Sequence, residues 1–170
     1  MGRAAFHRDC VILAGIHWGE SRLFSFRPFC YDVAMAIKTT TIKQSIRFKA
    51  SPHEIYQALL DAKEHSAFTG GIAKITPVVG AAFEAYDGYI TGRNLQLKED
   101  KKIVQAWRAE EDGWPEDLFS RVTIELKATK TGTEVSFTQT GVPIAHAKSI
   151  RDGWEEYYWR PLKRMLEESR

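Results

Sequence analysis

Cysteine is nearly missing from this chain. Its two examples, Cys10 and Cys30, both fall within the first 34 of 170 residues, and their spacing fits neither a zinc site nor a disulfide framework. Long apolar runs are missing too. The longest, Cys10 to Ile16, is far short of the roughly 20 residues that a membrane-spanning helix needs. Nor is there an excess of one charge: 24 Lys and Arg are interleaved with 22 Asp and Glu for a net charge of +2, which leaves no basic stripe for nucleic acid. These absences exclude disulfide-scaffolded, membrane-spanning and nucleic-acid-binding classes and favour a soluble, cytoplasmic protein. What is present is an ordinary globular composition, 44% hydrophobic, 27% charged and 12% aromatic. At this length folding buries roughly two-thirds of the unfolded surface, enough for one domain with a substantial core.

Residues 1–34 carry Arg3, Arg8, Arg22 and Arg27 and scattered aromatics, but no sustained period of 2 or 3.6. Asp9 interrupts the basic region that a secretory signal requires, and His17 and Trp18 end the apolar stretch early. An organellar presequence is only partly matched, because Asp9, Glu20 and Asp32 are acidic. Myristoylation needs Ser or Thr at position 6, where this chain has Phe6. The segment reads as a disordered extension or an over-extended start upstream of Met35, with one domain over residues 35–170.

From Thr40 the pattern becomes regular. Ile42, Ile46, Phe48 and Ala50 alternate with Lys43, Ser45, Arg47 and Lys49, as in a half-buried strand. Ser51, Pro52 and Glu54 then provide a helix start in which Ser51 caps, Pro52 occupies the first turn and Glu54 closes a capping box. Ile55, Ala58, Leu59 and Ala62 recur at helical spacing, and a second short helix follows around His65 to Phe68 before Gly70 and Gly71 end it.

Short strands are expected at Ala73 to Val79, Ala81 to Tyr86, Tyr89 to Lys98, Ile103 to Glu110, Phe119 to Thr129 and Thr133 to Gln139. Asp87-Gly88, Glu99 to Lys101 and Thr131-Gly132 supply turns between them. The alternation of Val122, Ile124, Leu126 and Ala128 with Thr123, Glu125 and Lys127 gives the sheet one dry face. Its cover is a C-terminal helix in which Ile150, Trp154, Tyr158, Leu162 and Leu166 repeat every four residues, with a kink expected at Pro161. The fold class is therefore α+β: a curved antiparallel sheet wrapped around a long C-terminal helix, with two short helices after the first strand.

This order resembles the START-like, helix-grip superfamily. The residues resemble its branch named for the activator of the heat-shock protein 90 ATPase, from about Thr41 to Leu166. The pieces that carry the likeness are Ser51 to Tyr56, Ala67-Phe68-Thr69, Gly88, Ile103-Val104 with Trp107-Arg108, Trp114-Pro115-Glu116, Gly141-Val142-Pro143, and Gly153-Trp154 with Tyr157-Tyr158. The resemblance implies a cavity between sheet and helix, and heat-shock protein 90 as a partner. It also implies that much of the stimulating activity of the eukaryotic co-chaperone sits in a different N-terminal domain, for which residues 1–34 are too short.

A search for paired carboxylates, nucleophile and base, or metal ligands finds no catalytic constellation. His53, His65 and His146 are isolated, and Glu155-Glu156 and Glu110-Glu111-Asp112 read as solvated acids. No catalytic residue, metal or cofactor is assigned, and the chain is read as a non-enzyme. What remains is aromatic lining: Phe83, Tyr89, Trp107, Phe119, Trp154 and Tyr158 are the candidate ligand-binding residues, for a small hydrophobic molecule. The same residues would serve equally as plain core. Two other readings are surface docking on heat-shock protein 90 and, third, a cyclase or hydrolase that uses Gln44, Asp87, Arg93 or Asn94.

Overall fold

The computed structural model describes residues 37–168, so the expectations for residues 1–34 and for a start at Met35 lie outside the described residues. Six antiparallel strands form one sheet: β1 (Thr39–Phe48), β2 (Ala82–Ala85), β3 (Ile90–Lys98), β4 (Lys102–Ala109), β5 (Ser120–Thr129) and β6 (Gly132–Pro143). Their spatial order is β1-β6-β5-β4-β3-β2, so the first strand is brought beside the last. The register of β1 on β6 runs from Thr39 opposite Pro143 to Phe48 opposite Thr133.

Two helices separate β1 from β2. In α1 (Pro52–Leu60) the capping box forms as its residues dictate, with Ser51 Oγ accepting from Glu54 N–H and the Glu54 carboxylate accepting from Ser51 N–H at 2.7 Å. In α2 (Ala62–Thr69) Asp61 caps two amides at 2.9 Å each, and Gly70 ends the helix at φ +74°, a left-handed conformation that favours glycine. No described helix is long and apolar enough to cross a membrane.

The expected strand at Ala73 to Val79 shrinks to a single bridge between Lys74 and Glu84. Pro77 has no N–H to give, and the carbonyls of Thr76 and Val78 go to a side chain, accepting from Asn94 Nδ2 at 2.9 and 3.3 Å. Asn94 is fully buried and its Oδ1 accepts from Gln105 Nε2 at 2.9 Å, so this pair takes the place of a seventh strand.

The C-terminal helical residues run without interruption from Ala147 to Glu168, as α3 (Ala147–Gly153), a π-helical segment (Trp154–Trp159) and α4 (Arg160–Glu168). The π segment accounts for the four-residue spacing of the apolar stripe. On a pure α-helix each step of four drifts by about 40°, whereas a wider turn in mid-helix brings Ile150, Trp154, Tyr158 and Leu162 back to one face. All four are buried. The irregularity expected at Pro161 thus appears just before it. Pro161 cannot donate to the Tyr157 carbonyl, which instead accepts from Tyr86 Oη at 2.6 Å.

Helix and sheet are joined by a buried relay. Trp154 Nε1–H donates to Gln139 Oε1 at 2.7 Å, Gln139 Nε2 donates to Ser120 Oγ at 2.9 Å, and Ser120 Oγ donates to the Trp107 carbonyl at 2.7 Å. Gln139 has no exposed surface. Replacing it by the similarly sized Met would strand Trp154 Nε1 and take away the donor to Ser120. Gln139→Met is expected to destabilise the fold by about 2–4 kcal/mol in urea denaturation, and a loss below about 1 kcal/mol would show the relay to be dispensable.

Candidate functional site

Free space opens between the helix and the sheet and reaches the surface. A pocket of about 350 Å³ lies at the edge of the helical run. Its floor is Trp107 of β4 and Trp154, whose ring centroids are 5.7 Å apart, with Ile90 and Ile150 beside them. Ser149, Gly153, Tyr157 and Tyr158 line it from the helix. The β2–β3 turn contributes Tyr86 and Tyr89, and the loop after β4 contributes Glu111. Tyr89 and Tyr157, 42% and 55% exposed, mark the mouth.

Local structure sets each wall. Tyr86, Asp87 and Gly88 have φ of +52°, +58° and +92°, an unfavourable run for the first two residues. It is held by Asp87 N–H on the Ile72 carbonyl, Tyr89 N–H on the Tyr86 carbonyl and the Tyr86 hydroxyl on the helix. The loop that carries Glu111 is gathered around Arg108, whose guanidinium donates to the carbonyls of Pro115 (3.2 Å) and Trp114 (3.3 Å) and to the Glu110 carboxylate (2.6 Å). The Tyr89 hydroxyl donates to the Glu111 carboxylate. Burial above all pushes up the pKa values of Tyr86, Tyr89 and Tyr158, so the three hydroxyls stay neutral. Ser149 Oγ donates to the His146 carbonyl at 3.0 Å and has no base partnered with it.

Deeper between sheet and helix lies a second, small void of about 20 Å³, lined by Leu59, His65, Phe83 and Trp107 among others. The two buried polar side-chain atoms without a partner among the described residues, His65 Nε2 and Trp107 Nε1, belong to residues on this void. His65 Nδ1 lies 3.2 Å from the Leu59 carbonyl, which can only accept, so the proton sits on Nδ1 and Nε2 carries the lone pair. The ring packs on Phe68 and Tyr158 at 4.8 and 5.5 Å, and desolvation lowers its pKa to about 4 against the opposing effect of the Leu59 bond.

Of the six residues predicted to line a ligand site, Tyr89, Trp107, Trp154 and Tyr158 come together around the open pocket. Phe83 faces the small void instead. Phe119 borders neither and is 45% exposed, because it shares its strand parity with the outward Arg121 and Thr123. Tyr86 and Glu111 join the site without having been picked out as lining. Tyr86 had one sequence signal, its place three residues before Tyr89 across an Asp-Gly turn; Glu111 had only its membership of an acidic loop. Gln44, Asp87, Arg93 and Asn94 line neither space. Elsewhere, His53 on α1 meets Glu99 and Asp100 of the β3–β4 turn with ligand atoms within 4.8 Å of one another, all at the surface.

Residues 49–167 match the family model described as Activator of Hsp90 ATPase homolog 1-like protein. The chain is 30% identical over 131 residues to the human protein named Activator of 90 kDa heat shock protein ATPase homolog 1, covering 77% of this chain and 38% of that one. It is 34% identical over 118 residues to the Dictyostelium discoideum protein named Activator of 90 kDa heat shock protein ATPase homolog, covering 69% and 30%. The chain thus spans well under half the length of these curated relatives. An HSP90 activator from Plasmodium falciparum shares the fold at a TM-score of 0.67 and 22% identity, over 75% of this chain and 95% of that one. The Aha1 dimer from Colwellia psychrerythraea does so at a TM-score of 0.65 and 22% identity, over 75% and 96%.

Burial of neutral His65 makes the fold sensitive to acid. Between the unfolded value near 6.5 and the folded value of about 4, the unfolded chain takes up a proton that the folded one refuses. This contribution is fully present above pH 6.5 and lost as pH falls to about 4, up to roughly 3 kcal/mol in all. His65→Phe is expected to flatten that part of the stability curve relative to wild type in urea titrations at pH 7, 5.5 and 4. Parallel curves for the two proteins would contradict the assignment.

Proposed function

Because the chain belongs to the Activator of Hsp90 ATPase homolog 1-like family, we propose that it is a non-catalytic, co-chaperone-like domain that docks on an Hsp90-type chaperone and modulates its ATPase, with the aromatic pocket as its point of contact. The observation that carries this reading is where the free space lies. Deep between sheet and helix, Phe83, Trp107, Trp154 and Tyr158 pack around a void of about 20 Å³, while the apolar pocket of about 350 Å³ reaches solvent. The deep void is too small for a ligand, whereas the larger pocket can take an apolar group offered from outside. The lining favours binding over chemistry: four tyrosines, one carboxylate and a serine without a base do not assemble a nucleophile or an acid–base pair.

A second reading, a free small hydrophobic molecule in the same pocket, is favoured by the pocket's volume and by the two indole rings of its floor.

One variant serves both readings. A Cβ added at Gly153 meets only Tyr157 Cδ2 at 3.8 Å, so Gly153→Leu fills the pocket from a helical position where Leu is also the better helix former. Wild type is expected to change ATP turnover by the cognate chaperone and to co-sediment with it, and Gly153→Leu to do neither while keeping its thermal midpoint. Wild type without effect in both assays ends the chaperone reading. A reproducible extra mass released from the wild-type protein in native mass spectrometry, absent from Gly153→Leu, would move the assignment to the small molecule.

A further inference from the structure

The pocket is apolar, but its charge is one-sided. Among the described residues that line it there is one charged group, the Glu111 carboxylate, and no lysine, arginine or histidine. Glu111 belongs to a stretch, residues 109–120, with five carboxylates (Glu110, Glu111, Asp112, Glu116 and Asp117) and no basic residue. Arg108 engages only Glu110 of these by a salt bridge, and Lys148, next to the lining Ser149 in sequence, is engaged by Asp152 at 2.6 Å. The Tyr89 hydroxyl orients the Glu111 carboxylate without neutralising it, since the hydroxyl keeps its proton. Aromatic rings line the same pocket: Trp107 and Trp154, Tyr86 and Tyr157 with ring centroids 6.5 Å apart, and Tyr89, which is bonded to the carboxylate. Ring faces with a nearby carboxylate are the arrangement that draws an organic cation out of water, because ring quadrupole and charge attract the same sign. A fatty acid or other anion of equal length would meet Glu111 with like charge.

We propose that the pocket selects an apolar stem ending in an ammonium group, with the cation between Glu111 and the tyrosines and the stem against Trp107 and Trp154. This specificity rests on the pocket being the binding site argued above. The same chemistry is offered by a lysine side chain of a protein partner and by a free alkylamine.

The test uses the full chain and three probes of one length, n-hexylammonium, 1-hexanol and hexanoate, followed by the indole N–H resonances of Trp107 and Trp154. Hexylammonium is expected to bind at least about 10-fold tighter than hexanol, the size of one desolvated cation–ring contact, with hexanoate weakest. Glu111→Gln should bring the ratio of hexylammonium to hexanol below about 3-fold, with a folded spectrum. Hexanol binding as tightly as hexylammonium in wild type overturns the charge preference while leaving the pocket as a binding site. No probe shifting either resonance overturns both. If the preference holds, displacement of the chaperone by hexylammonium assigns the cation to the partner, and an amine mass released from the native protein assigns it to a free ligand.

Discussion

Gln139 is a polar side chain with no access to water, and the way its amide is satisfied sets the position of Trp154 and of the aromatics packed on it. Its oxygen accepts from Trp154 on the helix, and its nitrogen donates to Ser120, which in turn donates to the backbone of β4 at Trp107. Apolar packing alone would let the helix slide or rotate on the sheet at little cost, because one aromatic contact resembles the next. A buried amide does not tolerate such slippage, since a displaced donor or acceptor loses its partner in a medium without water. The relay therefore fixes the depth at which Trp154 enters the sheet. Trp154 then stacks among Trp107, Phe137, Tyr158 and Trp159 at centroid distances of 4.3–5.7 Å and closes the interior.

The space left between sheet and helix opens to the surface beside Trp107, Ile150 and Tyr157. There the helix is irregular. The π segment widens the turn that carries Trp154 and Tyr158, Pro161 takes away an amide, and the Tyr157 carbonyl turns to Tyr86. That single bond ties a left-handed turn of the sheet to the helix and sets the width of the pocket between them. Irregular backbone on both walls, each held by the other, is what keeps an apolar pocket open at the surface.

Much of this was legible in the residues. The capping box at Ser51 and Glu54, the Asp-Gly turn and the alternation of β5 are local rules obeyed locally, and the ordered motifs from Ser51 to Tyr158 pointed to the right family. Two of the failures share a cause, which is that residues distant in sequence decided them. Ala73 to Val79 has strand composition, but Asn94 captures its carbonyls from 16 and 18 residues away. Phe119 was read as lining by strand alternation, but it lies one residue before β5 and keeps the phase of the outward Arg121, opposite to that of Val122 and Ile124. The pocket had no single signature because its walls come from the β2–β3 turn, the loop after β4 and the helix, and only folding sets Glu111 beside them. The four-residue spacing of the C-terminal stripe was visible; its meaning as a π turn was not, since nothing local separates a drifting α-helix from a widened one.

The pairing of β1 with β6 has a consequence for how the chain acquires its structure. Every β1 contact in that ladder reaches across more than 80 residues, from Phe48 with Thr133 to Thr39 with Pro143. While the polypeptide is being synthesised, the first strand and its bounding helices have no sheet to join until nearly the whole domain has left the ribosome, and the covering helix comes later still. Such non-local closure folds slowly, with a long interval in which Ile42, Phe48 and the edge of β6 are bare. A domain of this connectivity keeps apolar strand surface exposed for longer than one built from local contacts.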